Sequence, residues 1–200
     1  MRASIDYYFA LQSPWSYLGL ERLRSFAERS GSAINYKPMK LATIFGETGG
    51  LPLAKRSKER QAYRMMELER WRFFLDVPLK LEPKVFPVDE TLAAHTVLAA
   101  LDGGAKEIGD LCEAFHAVVW TRDEDLSDVA VVRSAVERAG FDVSLVDTAK
   151  GADLDAVYEA HTRDAIAAGV FGAPSYVIEG EVFWGQDRLD FVGRKLGLRH

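Results

Sequence analysis

Ser13 is the residue whose type and place most directly suggest chemistry. In Ser13-Pro14-Trp15-Ser16 a serine precedes a proline, and apolar residues then recur at helical spacing through Leu18, Leu20, Leu23, Phe26 and Ala27. Serine at the N-cap and proline at N1 start helices, because the hydroxyl accepts an orphan N–H and proline has none to lose. The positive end of a helix also stabilises an anion docked against it, a thiolate included. Ser13 therefore reads two ways, as a plain cap and as a hydroxyl that holds and activates a bound thiol.

A second group stands near the other end of the chain. Gly172-Ala173-Pro174-Ser175 leads into an apolar run, and Trp184-Gly185-Gln186-Asp187 follows it. Gly-Ala-Pro makes an ordinary turn at the head of a strand. Asp187 serves as the cap of a last helix. Other reactive side chains are few. Cys112 is the single cysteine, so neither an internal disulfide nor dithiol chemistry is available. It sits in Leu111-Cys112-Glu113-Ala114-Phe115, a helical pattern that predicts a buried, inert thiol. His95, His116 and His161 fall on separate helical segments without metal-ligand spacing, so no metal is expected. Nucleophile-elbow, P-loop and dinucleotide-binding motifs are absent.

The elements that must position these residues follow from periodicity. Ser4-Ile5-Asp6-Tyr7-Tyr8-Phe9 reads as a first strand, the helix after Ser13 ends at Gly31, and Ile34 to Met39 reads as a second strand. The intervening helix makes the two strands parallel. From about Leu41 to Ala168 the pattern is helical throughout. Arg60 to Leu75, Thr91 to Leu101, Ile108 to Trp120, Asp128 to Ala139 and Asp153 to Ala168 are the expected helices, with a proline-punctuated connector from Pro78 to Pro87. Ser175 to Ile178, a Glu179-Gly180 turn and Glu181 to Trp184 make a hairpin, and Asp187 starts a final helix. The order β-α-β, helical block, α-β-β-α predicts an α/β thioredoxin-like fold with a large all-helical insertion. Its core portions are residues 1–40 and 162–200, with 41–161 inserted between them.

Composition narrows the function classes. The chain has 200 residues, 48% of them apolar, and a formal net charge of -5. That is enough apolar content for a sizeable core. The acidic balance argues against nucleic acid, whose binding needs an excess of Lys and Arg. The basic run Lys55-Arg56-Ser57-Lys58 reads as a solvated face. No apolar run reaches the roughly 18 residues of a membrane span, and nothing at the start resembles a secretion signal. A reducing cytoplasm is the expected setting.

Two motifs coincide on this framework. Ser13-Pro14-Trp15-Ser16 occupies the place where thioredoxin-fold oxidoreductases keep C-x-x-C, and Ala173-Pro174 the place of their cis-proline. With Phe9 to Leu18, Val170 to Pro174 and Phe183 to Leu189, the chain resembles the 2-hydroxychromene-2-carboxylate isomerases, DsbA-like proteins related to the kappa-class glutathione transferases. The resemblance spans nearly the whole chain and is looser in the helical middle.

It implies a glutathione-dependent isomerase of aromatic degradation. Glutathione thiolate, held by Ser13, would add to a 2-hydroxychromene-2-carboxylate and leave again after ring opening and bond rotation, giving trans-o-hydroxybenzylidenepyruvate. The cofactor's cysteinyl unit would pair with the backbone of Ala173 at a cis Pro174. Asp187 would accept from its γ-glutamyl ammonium, Gln186 and backbone N–H groups there would take its α-carboxylate, and Trp184 and Gly185 would belong to the same cofactor seat, Trp184 also walling the substrate. Arg60, three residues before Tyr63, stands where relatives carry lysine and would face the glycine-end carboxylate. Gly49-Gly50-Leu51-Pro52 replaces a loop that carries asparagine in relatives. Trp15, Phe45 and Phe86 are candidate walls for a small aromatic carboxylate, and core packing is the other use of Phe86. A homodimer is the family's expectation. A kappa-like transferase or peroxidase, or a non-catalytic glutathione-binding protein, would share Ser13, Pro174 and Asp187.

Overall fold

A computed structural model describes residues 3–198 of the chain. The elements are β1 (Ser4–Phe9), α1 (Pro14–Ser30), β2 (Ala33–Pro38), α2 (Leu41–Thr48), α3 (Lys58–Leu75), α4 (Thr91–Asp102) and α5 (Gly109–Trp120). They continue with α6 (Val129–Arg138), α7 (Ser144–Gly151), α8 (Asp155–Ala167), β3 (Ser175–Ile178), β4 (Glu181–Trp184) and α9 (Leu189–Lys195). The four strands form one mixed sheet in the order β2-β1-β3-β4. β1 and β2 are parallel, with Tyr7 opposite Tyr36. β3 runs antiparallel to both β1 and β4.

Alternation along β1 decides how the sheet is covered. Ile5, Tyr7 and Phe9 point into the larger core with Leu23, Phe115, Trp120 and Tyr176, whereas Tyr8 and Ala10 join Met39, Ile44, Ala165 and Val177 on the opposite face. Helices therefore pack on both faces. The rings of Tyr7 and Tyr176 stack at 5.6 Å between centroids across β1 and β3. Gly19 lets this core close: a Cβ there would lie 2.8 Å from Tyr176 Oη and 2.9 Å from Gln186 Cβ.

The fold is the one expected from the sequence, with local differences. Periodicity does not separate α2 and α7 as helices, since each has only eight residues and lacks a side-chain cap. The expected division between residues 161 and 162 falls inside the continuous helix α8. Asp187 does not start the last helix. It lies in a 3-10 turn, Gln186–Arg188, and α9 begins at Leu189 with no side-chain cap. No helix among the described residues is long and apolar enough to cross a membrane.

Candidate active site

The C-terminal end of β1 runs into a tight loop that delivers Ser13. The Ser13 N–H donates to the Ala10 carbonyl at 3.0 Å, and its own carbonyl accepts from Tyr17 N–H at 3.1 Å. Ser13 Oγ accepts from Ser16 N–H at 3.3 Å, so the serine is the N-cap of α1. Accepting uses a lone pair and leaves the hydroxyl proton to be donated. Cap and anion donor are thus compatible roles for one side chain, and Ser13 is buried.

The second group meets Ser13 through strand register. Tyr8 of β1 pairs with Ser175 of β3, which sets Ala173-Pro174 at the same end of the sheet as the Leu11–Ser13 loop. The Ala173–Pro174 peptide is cis. The Pro174 carbonyl accepts from Gly185 N–H at 2.9 Å, bringing the end of β4 alongside. Gly172 can be nothing larger without displacing a neighbour, because a Cβ there would lie 2.5 Å from Trp184 Nε1. Trp184 is half exposed and packs on Phe171 at 4.7 Å between centroids.

The turn after β4 has its own constraint. Gly185 has φ 100°, and a Cβ there would meet Asp187 Oδ1 at 2.4 Å. The Asp187 carboxylate is exposed and accepts from Arg188 at 2.8 Å. Gln186 is buried, and its carbonyl and Oε1 accept from Arg22 Nη1 at 3.3 and 3.0 Å. Its side chain therefore ties the turn to α1 and retains only its amide N–H donors for any ligand.

The insertion holds the serine loop from the other side, through residues that sequence reasoning did not single out. Glu90, at the start of α4, is buried; its carboxylate accepts from Gln12 N–H at 2.7 Å and from Gln12 Nε2 at 3.3 Å. Burial pushes this carboxyl up to about 7, against the lowering effect of the Gln12 and Leu11 N–H groups. Buried His116 of α5 has Nδ1 2.7 Å from the Leu11 carbonyl. A carbonyl only accepts, so Nδ1 carries the proton. Burial holds this imidazole down to about 4. Gln12 Oε1 accepts from Val88 N–H at 3.4 Å. The residue ahead of the candidate serine is thus clasped by an acid and a backbone donor of the insertion.

Phe45, Phe86, Trp15 and Arg60 occupy the insertion side or its border. Trp15 is half-buried on the first turn of α1 against the main core. Phe86 is half-buried and packs on Trp120 at 5.1 Å, and its peptide to Pro87 is cis. Phe45 folds over Gly50, where a Cβ would sit 2.4 Å from its ring, and Gly49 ends α2 in the left-handed region. The Gly49-Gly50 departure thus has a packing reason. Arg60 is exposed on the first turn of α3. Arg56 departs from the solvated run expected for it: it is half-buried, donates from Nε to the Leu51 carbonyl at 2.8 Å, and lies 5.8 Å from the Phe45 ring centroid. Cys112 is buried, and burial pushes its thiol well above the ordinary range. Among the described residues no group of His, Cys, Asp and Glu is arranged to hold a metal ion.

Residues 4–197 match the model of the DSBA-like thioredoxin domain. The chain belongs to the DsbA-like thioredoxin family. Within it, a 2-hydroxychromene-2-carboxylate isomerase of Sphingobium xenophagum is 29% identical over 194 residues, covering 96% of this chain and 97% of the relative. A solved 2-hydroxychromene-2-carboxylate isomerase superposes with a TM-score of 0.82 at 25% identity, over 97% of this chain and 94% of that one. The kappa 1 glutathione S-transferase of Rattus norvegicus is 22% identical, over 96% of this chain and 90% of its own length. In this DsbA-like chain a serine caps the helix where dithiol chemistry would need a cysteine, and the one cysteine is sealed on another helix.

The clasp residues left little trace in the sequence. Glu90 reads as one more acid before a helix, and His116 as a lone helical histidine. Only docking of the insertion on the core gives either of them a partner.

Proposed function

We propose that the protein is a glutathione-dependent cis–trans isomerase acting on 2-hydroxychromene-2-carboxylate type substrates. The observation that carries this reading is Ser13: a buried serine at a helix N-terminus, its hydroxyl proton unspent, beside a cis-proline strand head in a fold without a reactive cysteine. The relatives named as isomerases and as a glutathione transferase support it.

The residues present suit glutathione. Ser13 offers a donor and the helix end for the sulfur, Ala173 an extended backbone unit, Asp187 an exposed carboxylate for the ammonium, and Arg60 an exposed cation for a carboxylate. When bound, glutathione supplies a thiolate that adds to the conjugated substrate and departs once the bond has turned. The work of this chain is then positional. Ser13 holds the sulfur in its anionic form, the Glu90–Gln12 clasp fixes the loop that carries Ser13, and Trp15, Phe45 and Phe86 wall an aromatic ring. A cytoplasmic setting and a homodimer belong to the same reading.

Calorimetric titration with glutathione tests the cofactor, with Asp187→Ala expected to weaken binding. A hydroxychromene carboxylate followed spectrophotometrically then tests the reaction against conjugation of a dinitrobenzene electrophile. No binding at millimolar glutathione would sink the reading. Conjugation without isomerisation would replace it by a kappa-like transferase.

A further inference from the structure

Arg64 is a cation that the fold has half-buried without an acid among the described residues. It lies one turn after Arg60 on α3, and its Cζ sits 5.5 Å from the Phe86 ring centroid. Its one hydrogen-bond contact is the Met65 thioether at 3.7 Å. By contrast Arg22, Arg24, Arg70 and Arg133 each pair with an aspartate or glutamate. A desolvated guanidinium without a counter-ion is costly to keep.

The neighbours of Arg64 add to that cost. Burial, and then the charge of Arg56, holds the Arg64 guanidinium down to about 10. Arg56 is itself lowered by burial and by Arg60. Among the described residues none of Arg56, Arg60 and Arg64 has an ion pair with a carboxylate, and two of them lie over phenylalanine rings, Arg56 over Phe45 and Arg64 over Phe86. A ligand with a carboxylate attached to an aromatic ring would answer both features: the anion relieves the repulsion, and the ring packs beside the phenylalanines.

The cluster also connects to the serine loop. Phe86 is two residues from Val88, whose N–H donates to Gln12, the residue before Ser13. The path from the cation to the candidate serine runs through a single short segment.

We infer that Arg64, with Arg56 beside it, is the binding seat for the carboxylate of the aromatic substrate, separate from the cofactor-side cation Arg60. This deepens the isomerase reading and rests on it. The test uses 2-hydroxycinnamate and its uncharged amide as probes, titrated into the full chain by tryptophan fluorescence, with glutathione titrated separately.

The wild type should prefer the carboxylate about tenfold over the amide. Arg64→Gln should abolish that preference while leaving the amide and glutathione within about twofold. Arg64→Lys, which keeps the charge but not the fork, should fall between, and it guards against a misfolded glutamine variant. An unchanged preference in Arg64→Gln, or a loss directed at glutathione instead, overturns the assignment, as does equal binding of both probes by the wild type. A wild-type preference that Arg64→Gln abolishes, without any isomerisation by the wild type, supports the seat and removes the proposed reaction.

Discussion

The two sides of the candidate site are built by opposite means. On the core side, Ser13, Ala173-Pro174 and Gly185 are placed by backbone: a helix cap, a strand register and a turn, with Gln186 locked to Arg22. On the insertion side, Arg56, Arg60, Arg64, Phe45 and Phe86 are placed by side chains on α2, on the turn between α2 and α3, on α3 and on a proline-rich connector, and among the described residues three of them are cations without acids. The contrast teaches that the Ser13 side is fixed by backbone geometry, while the α3 side carries cations that no acid among the described residues neutralises.

The sharpest way to break the comparison is Ser13→Ala. Loss of a preorganised donor costs about 100-fold or more in kcat, and steady-state kinetics should show that loss with glutathione affinity retained. A drop in affinity with kcat unchanged would reduce Ser13 to a binding contact.

Next in size is the pH response of the clasp between the halves. Glu90 stays protonated in the native state to about pH 7 but in the unfolded chain only to 4.5, so its native proton makes stability fall as pH rises across that window. His116 behaves oppositely, staying neutral in the native state down to about 4 against an ordinary 6.5. Its contribution therefore makes stability rise with pH. Asp89 and Tyr158, the other titratable groups coupled to Glu90, are unchanged in the variants below.

Between pH 4.5 and 6.5 the two slopes cancel in the wild type. Denaturant unfolding of Glu90→Gln should show stability climbing by roughly 3 kcal/mol from pH 4 to 6.5, and His116→Asn a comparable fall from 4.5 to 7. Identical pH curves for all three proteins would contradict both assignments.

Gly19→Ala tests the rigidity of the core side. Overpacking against Tyr176 and Gln186, partly offset by helix propensity, should cost about 1–2 kcal/mol, a fall in Tm of about 4 °C by calorimetry. The smallest effect belongs to the exposed Arg60. Arg60→Gln should weaken glutathione about threefold, with stability within about 0.5 kcal/mol.

The same contrast explains what could be read from the sequence. The cap at Ser13 and the turn at Pro174 are local signals, written in adjacent residue types, and the parallel β1–β2 pair and the β3–β4 hairpin follow from their neighbours. Asp187 was misplaced because a 3-10 turn after Gly185 imitates a helix start; the glycine with its positive φ was the available clue. Glu90, His116 and Arg64 escaped for a different reason. Their roles depend on which distant segment lies against them, Gln12, Leu11 and Phe86 respectively, and no pattern along one helix records that.

Cys112 gives the experimenter a clean background. With its thiol sealed inside α5 and held protonated, a cysteine introduced anywhere on the surface becomes the only one that reacts with a label in the folded protein. Ser13→Cys would go further and place a lone thiol at a helix end with no second cysteine to resolve it. Incubated with glutathione disulfide, such a variant should exchange to the mixed disulfide and release one glutathione thiol, a mass increase of about 305 Da that reports directly whether the cofactor finds this seat.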